Sequence, residues 1–322
     1  MLYRIYCLHG LFANRVWAVN NAGTISIGLP FFNARRTLAA AVRSVFAQSY
    51  RDWELILIDD GSSDGSKELL MQIGDPRIRI FSDGVNRGLS ARLNQITSLA
   101  RGKYLARMDA DDLMHPERLS RQLAFLQANP QVDVIDTTTF TVDDDLTPLG
   151  IRGEEALDCR PEAVLRNGLL IHPTMMARTD WFRSNPYDGV YFRAEDRELW
   201  CRTCTNTKFA RLCEPLFFYR EGLAGNVRNY VSTGLTLRKI LRHYGPPLIG
   251  TWRTSMLESQ FILRTLVYRV ATAWGMQGKI ILRRNRTLTA SEQQSAQAIL
   301  SQVLNTSLPG LAFEHVGGDV LT

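Results

Sequence analysis

Trp53-Glu-Leu-Ile-Leu-Ile-Asp59-Asp60-Gly61-Ser62-Ser63-Asp64-Gly65 is the stretch whose reading decides the fold. It begins as a near-continuous apolar run, the pattern of a strand buried on both faces of a parallel sheet. The run stops at two aspartates and a short polar turn, after which Ser66 is placed to cap a helix through Leu69 and Leu70. The same rhythm extends outward. Ile25–Leu29 reads as a strand ended by Pro30, and Thr37 is placed to cap a helix carrying Leu38, Val42, Val45 and Phe46. Downstream, Arg77–Phe81 is a strand, Leu89–Ala100 a helix stopped near Gly102, and Tyr104–Met108 a strand ending in Asp109-Ala-Asp111-Asp112. Pro116 opens a helix through Leu126, and Val132–Ile135 is a further strand. Repeated strand–helix alternation predicts a doubly wound, mostly parallel α/β sheet. In such sheets ligands bind outside the carboxyl ends of the strands, where both acidic clusters fall.

The remaining sequence sets bounds on this reading. With 322 residues, 45% hydrophobic and 22% charged, the composition excludes a disordered, collagenous or coiled-coil chain. No run approaches the roughly 18 apolar residues of a membrane span. Five irregularly spaced cysteines argue for free thiols in a reducing compartment, hence a cytoplasmic location. Residues 1–24 show no clean period and read as a loose N-terminal extension, consistent with an early start codon. The net charge of +6 is uneven: Asn226–Arg286 carries eleven Lys/Arg and one acid, Glu258, leaving the rest of the chain negative. The expected division is an extension (1–24), an α/β domain (25–225) and a basic helical C-terminal region (226–322).

Three carboxylates within Asp109-Ala-Asp111-Asp112 repel one another unless a cation compensates them. Oxygen ligands at a strand end suit Mg²⁺ or Mn²⁺ shared with a diphosphate, although isolated acidic turns are common. The Asp59–Gly65 loop has three readings. As a calcium loop it would need Glu where Met71 stands, so that reading fails. Gly61-Ser62-Ser63-Asp64-Gly65 matches the G-x-S-x-G nucleophile elbow of serine hydrolases, but this leaves the preceding aspartates unexplained. A nucleotide pocket is the third reading, with carboxylates accepting from base N–H or ribose hydroxyls. Neither a P-loop nor a dinucleotide G-x-G-x-x-G motif is present.

Seven segments in order resemble family-2 glycosyltransferases of the GT-A fold. They are Ser26–Asn33, Val45–Tyr50, Trp53–Gly65, Asn86–Asn94, Gly102–Asp112, Pro116–Leu119 and Ala194–Trp200. The resemblance implies that Asp59 and Asp60 read the nucleotide base and ribose beside the backbone of Pro30, Phe31 and Asn33. It implies a D-x-D motif in which Asp109 faces the ribose and Asp111 holds the metal. Glu195-Asp196 resembles the family's E-D motif, with Asp196 as catalytic base and Glu195 as an acceptor or metal contact. Arg92 is expected near the nucleotide. Leu93 interrupts the usual A-R-N spacing, which removes the basis for assigning Asn94 a role. The implied activity is inverting, metal-assisted transfer from a nucleotide-diphosphate sugar, with a UDP-sugar expected. The implied acceptor is a saccharide or lipid-linked hydroxyl in surface-polysaccharide biosynthesis.

Alternatives remain at this stage: a sugar-nucleotide binder of the same fold without transferase activity, or a nucleotidyltransferase. The latter usually carries a Gly-rich basic loop after its first strand, which Ile25–Asn33 lacks. His172 is a candidate acceptor or metal contact, weighed against a buried, hydrogen-bonded histidine. Cys201-x-x-Cys204 suggests zinc only weakly, because no nearby histidine completes a site. Trp181, Phe182, Tyr187, Tyr191 and Phe192 serve either to stack on an acceptor sugar or to pack the core. In the tail, Leu235, Leu237, Ile240, Leu241, Phe261, Ile262, Leu266 and Val267 alternate with basic residues. That pattern suits either an interfacial helix on the anionic inner face of the plasma membrane or a helical cap on the catalytic domain. No nucleic-acid recognition motif is present, so no nucleic-acid partner is expected.

Overall fold

The apolar run at 53–58 is buried on both sides because it lies inside a nine-stranded sheet. In the computed structural model, Leu55 and Leu57 face one hydrophobic cluster and Ile56 and Ile58 the other. The structure describes residues 25–221, 227–274 and 284–311, so the expected extension at 1–24 lies outside the described residues. The elements in chain order are β1 (Ile25–Phe31), α1 (Arg35–Phe46), β2 (Trp53–Asp59), α2 (Ser66–Leu70), β3 (Ile78–Ser82), α3 (Leu89–Leu99) and β4 (Tyr104–Arg107). Then come β5 (Leu113–Met114), α4 (Arg118–Ala128), β6 (Val134–Val142), β7 (Pro148–Arg152), α5 (Pro161–Asn167), β8 (Met176–Arg178) and α6 (Thr179–Ser184). The chain continues through α7 (Glu195–Thr203), β9 (Phe209–Arg220), α8 (Val227–Ile249), α9 (Thr251–Ala273) and α10 (Ala290–Leu304).

The strand order is β3-β2-β1-β4-β8-β6-β9-β5, with β7 paired to β6. The four strands from β3 to β4 are parallel, as the alternation predicts. Beyond β4 the sheet is mixed: β8 runs antiparallel to both β4 and β6, while β6 and β9 are parallel. The parallel strands all deliver their carboxyl ends to one edge, since Phe31 pairs with Asp59 and Gly28 with Arg107.

Two helix starts differ from expectation for one reason. α1 begins at Arg35, ahead of Thr37, because its first turn is capped from a distance. Ala34 N–H donates to Ser66 Oγ at 3.0 Å and Arg35 N–H to Asp64 Oδ2 at 2.9 Å. Ser66 is the first residue of α2 rather than its cap, and it follows Gly65 at φ +83°. The 62–66 loop is therefore an organiser of α1 as well as the end of β2.

Beneath the C-terminal half of the sheet, Asp136 of β6 lies opposite Arg211 of β9. The pair is almost fully buried, and Asp136 also accepts from Ile171 N–H at 2.8 Å. Removing one member strands the other charge in the interior. Arg211→Met is expected to lower the unfolding free energy by ~3–5 kcal/mol in urea titration. A change within ~0.5 kcal/mol would show that Asp136 is accommodated by its other donors.

In the C-terminal region, α8 and α9 form a hairpin that turns at Gly250, which has φ +84°. Ile240, Leu241, Leu257 and Phe261 are buried against the helices beneath the sheet, so this half of the tail is a cap. Tyr244 Oη fixes it by donating to Glu198 Oε1 of α7 at 2.6 Å. Leu235, Ile262, Leu266 and Val267 instead face solvent. Among the described residues no helix is long and apolar enough to cross a membrane.

Candidate active site

Phe31 and Asp59 end adjacent strands, and the loops that follow them are tied together. Asn33, in the left-handed region at φ 50°, donates its N–H to Ser62 Oγ and accepts from Ser63 N–H, each at 2.9 Å. Asp59 accepts from Ser62 N–H and Ser82 Oγ, each at 2.8 Å. Asp60 accepts from the N–H groups of Arg87 (2.7 Å) and Gly88 (3.0 Å) and from Arg92 Nε (2.8 Å). A carboxylate offers about four acceptor positions, so Asp59 and Asp60 both keep capacity for a ligand donor. Gly61 has φ +82°, and a Cβ there would lie 2.9 Å from Asn86 N, so only glycine lets the two loops close.

Arg92 requires a correction. Its Nε goes to Asp60, its Nη1 to Asp83 and Gln95, and its Nη2 to Asp83 and the Val85 carbonyl. These contacts use all five N–H donors, and the side chain is buried. Arg92 therefore has no donor left for a nucleotide; it holds Asp60 and the 83–88 loop in place. Asn94, to which the sequence assigned nothing, clamps the Tyr187 backbone from both sides at 2.8 Å.

Asp109, Asp111 and Asp112 each offer an oxygen, and the three atoms lie within 4.8 Å of one another. Asp112 is buried; its Oδ1 accepts from Arg220 N–H at 2.8 Å, and its Oδ2 has no partner. Desolvation of its carboxylate by crowding neighbours, and then the charge on Asp109, push Asp111 up to about 6. Burial, and then the charges of Asp111 and Asp109, push Asp112 well above the carboxylate range. An all-oxygen set with a buried orphan oxygen and mutual repulsion fits a hard divalent cation.

Glu195 and Asp196 open α7, whose N-terminus favours negative charge. Asp196 Oδ1 accepts from Arg197 N–H at 2.7 Å, and among the described residues no donor reaches Oδ2. Burial raises the pKa of Asp196, while Arg197 and Arg107 pull it back in part. Glu195 is buried and likewise raised, by desolvation and then by Asp196.

Arg107, which the sequence reading passed over, links the two acidic groups. It is 4% exposed, donates from Nη2 to Asp109 Oδ1 at 2.6 Å, and leaves Nε and Nη1 without partners. Its charge reaches Asp111, Asp112, Glu195 and Asp196. The signal was present in Tyr-Leu-Ala-Arg-Met: a charge inside a strand, two residues before an acidic cluster.

His172 is buried, and its Nε2 lies 2.8 Å from Tyr187 Oη. Burial, reinforced by Arg107, drives its pKa well below normal and keeps it neutral. It borders a cavity of about 1160 Å³ that Asp196 and Tyr219 also line. Burial, and then the charges of Asp112 and Asp109, raise the pKa of Tyr219, which lines this cavity. Cys201 and Cys204 lie in the core, and burial pushes the Cys201 thiol up to about 12. That disfavours zinc, for which the ligand is a thiolate. Among the described residues no histidine hydrogen-bonds to Ser63, as a hydrolase would require. Phe182, Tyr187 and Tyr191 pack the core, whereas Phe192 is exposed.

The parallel strand edge, the acidic triplet and the second acidic pair are arranged as in the GT-A glycosyltransferase fold. The chain belongs to glycosyl transferase family 2, whose model matches residues 26–177. It is 36% identical over 192 residues to the Bacillus subtilis protein EpsE, named as a glycosyltransferase, covering 57% of this chain and 68% of EpsE. Over 105 residues it is 31% identical to WfgD of Escherichia coli, a UDP-Glc:alpha-D-GlcNAc-diphosphoundecaprenol beta-1,3-glucosyltransferase, covering 33% of this chain and 42% of WfgD. Its fold is similar to that of the mannosyltransferase PcManGT from Pyrobaculum calidifontis in complex with GDP-Man and Mn²⁺. That match has a TM-score of 0.55 at 14% identity, over 88% of this chain and 86% of the other. The protein is therefore a glycosyltransferase enzyme.

Proposed function

We propose that this enzyme transfers a sugar from a nucleoside-diphosphate donor, with a UDP-sugar expected, to an acceptor hydroxyl with inversion at the anomeric carbon. The observation that carries this reading is the gathering of Asp109, Asp111 and Asp112 within 4.8 Å of one another, with buried Arg107 donating to Asp109 Oδ1 at 2.6 Å. The nucleotide lies over Pro30, Phe31 and Asn33, with Asp59 and Asp60 accepting from base and ribose and Asp109 facing the ribose. Asp111, with Asp109 and Asp112, would hold Mg²⁺ or Mn²⁺, which when bound neutralises charge developing on the diphosphate. Asp196 takes the proton from the acceptor hydroxyl as that oxygen attacks the anomeric carbon. Arg197 N–H orients its carboxylate. A base on the face opposite the leaving diphosphate makes this one in-line displacement, hence inversion. His172, buried with its Nε2 2.8 Å from Tyr187 Oη, shapes the acceptor side.

A thermal-shift panel of UDP-, GDP- and other nucleotide sugars, with and without Mn²⁺, identifies the donor. NMR of the product's anomeric proton then reports inversion. A retained configuration overturns the single-displacement reading.

We further propose a cytoplasmic enzyme that works at an anionic membrane in surface-polysaccharide synthesis. Support comes from the basic C-terminal region and from the exposed Leu235, Ile262 and Leu266. Sedimentation with vesicles is expected to rise when phosphatidylglycerol replaces part of the phosphatidylcholine, and to fall as salt is added. Equal binding to both vesicle types would exclude an electrostatic surface role.

A further inference from the structure

Arg220, the last residue of β9, ties down the turn that carries the acidic triplet. Its N–H donates to Asp112 Oδ1 at 2.8 Å and its Nε to the Asp111 carbonyl at 2.9 Å. Its Nη1 reaches the carbonyls of Asp143, at 3.3 Å, and Asp144, in the turn between β6 and β7. With Oδ1 held in this way, Asp112 Oδ2 is the oxygen left without a partner among the described residues. The position of Arg220 therefore sets the direction of one carboxylate and the path of the turn at the next.

What holds Arg220 comes from the far end of the chain. Both of its sequence neighbours are gripped by Arg152 of β7, whose guanidinium lies 5.5 Å from the Tyr219 ring centre and whose Nη2 pairs with both oxygens of buried Glu221. Asn285 completes the grip. Its Oδ1 accepts from Arg152 Nε at 3.1 Å and Nη2 at 2.9 Å. Its Nδ2 donates to Glu221 Oε2 at 3.0 Å and to Thr141 Oγ1 of β6 at 2.9 Å. One amide thus uses both acceptor and both donor positions to join β6, β7 and the residue that follows β9. The backbone at 285–286 is also fixed. Arg286 exchanges two backbone hydrogen bonds with Ile151, at 2.8 and 2.9 Å. A Cβ on Gly150 would come 2.7 Å from the Arg286 carbonyl oxygen and 2.8 Å from Asn285 Cβ, so this close approach needs glycine.

We propose that Asn285 is a positioning residue for the cation site. Through Glu221 and Arg152 it fixes Arg220, and through Arg220 it fixes the carboxylate of Asp112 and the turn at Asp111. Groups that hydrogen-bond to metal ligands orient them, and losing one typically costs about 10–100-fold in metal affinity. Asn285 acts one step further out, so the lower end of that range applies to it. The inference rests on the reading of the acidic triplet as a divalent-cation site.

Mn²⁺ alone, titrated into the full chain and followed by the EPR signal of the free ion, tests it. Asn285→Ala leaves the net charge unchanged and is expected to weaken Mn²⁺ by about tenfold. Gly150→Ala displaces the 285–286 backbone while keeping the Asn285 amide, and is expected to act in the same sense. Thr289→Ala is the control, on the same segment but away from Glu221. It removes the hydroxyl that caps α10, so it should lower the melting midpoint and leave Mn²⁺ affinity at the wild-type value. Wild-type affinity in Asn285→Ala or in Gly150→Ala overturns the proposal. So does a loss of affinity in Thr289→Ala as large as that in Asn285→Ala, because general loosening of the segment would then explain both. A wild type that binds no Mn²⁺ sinks the cation reading and this proposal with it, whereas equal binding by wild type and Asn285→Ala sinks the positioning role alone.

Discussion

Asp196→Asn is expected to lower the rate of sugar transfer by about 10²–10⁴-fold, the usual weight of a positioned base, with nucleotide affinity unchanged. The substitution keeps the shape of the side chain, and its amide oxygen still accepts from Arg197 N–H, so the start of α7 is preserved. The amide cannot take a proton from the acceptor. The environment of Asp196 adds a pH signature. Burial raises its pKa above the ordinary ~3.9, with Arg197 and Arg107 opposing. The base acts when ionised, so wild-type kcat/KM falls as pH drops through this raised value, and the limb should flatten in the variant. The same shift has a consequence for stability. Between the unfolded and the folded pKa the native state binds the extra proton, so stability falls as pH rises through that window. At neutral pH ionised Asp196 therefore destabilises the fold, and Asp196→Asn should melt at a higher temperature than wild type. Wild-type transfer rates in the variant would remove Asp196 from the chemistry. A lowered melting point would place its role in the folding of α7.

The parallel half of the sheet was legible because each strand is buried on both faces, and the run from Trp53 to Ile58 says so without its neighbours. Beyond β4 only the start of β6, read as Val132–Ile135, was. β6 carries Thr137, Thr138, Thr139 and Thr141, all buried. Thr138, Thr139 and Thr141 donate to carbonyls of neighbouring strands, as Thr139 Oγ1 does to the Phe217 carbonyl, while Thr137 Oγ1 has no partner among the described residues. Polarity in the sequence concealed how far this central strand runs. The caps failed for a similar reason: the donors at the start of α1 meet Ser66 and Asp64, about thirty positions away. The acidic residues stood out because carboxylates clustered at strand ends conflict with one another. Arg107 escaped notice because one arginine in a strand carries no such conflict until Asp109 and α7 are brought beside it. Arg92 was given to the nucleotide because its neighbours in the sequence resemble a family motif, whereas its five donors are spent on Asp60, Asp83, Gln95 and Val85.

Asp111→Asn should abolish the part of nucleotide binding that depends on a divalent cation, a loss of about a hundredfold or more at ~1.4 kcal/mol per decade. Asp111 is the exposed member of the triplet, whereas Asp112 is buried and bonded to Arg220 N–H. Replacing the exposed carboxylate removes a charged ligand while leaving the turn's internal hydrogen bonds in place. The metal-free protein should respond in the opposite sense. Although the residue is open to solvent, neighbouring groups crowd its carboxylate, and this desolvation and the charge on Asp109 raise the pKa of Asp111 to about 6. Without a cation, stability is therefore lost as pH rises from the ordinary ~3.9 to about 6, and above that ionised Asp111 weakens the fold in full. At pH 7.5 in EDTA, Asp111→Asn is expected to melt above wild type. With Mn²⁺ and a nucleotide diphosphate, wild type should gain several degrees and the variant little, so the order reverses. The crossing of the two melting curves separates a metal ligand from a structural acid. A structural Asp111 would leave the variant less stable in both buffers. A variant that keeps the full Mn²⁺-dependent shift would move metal binding off this residue.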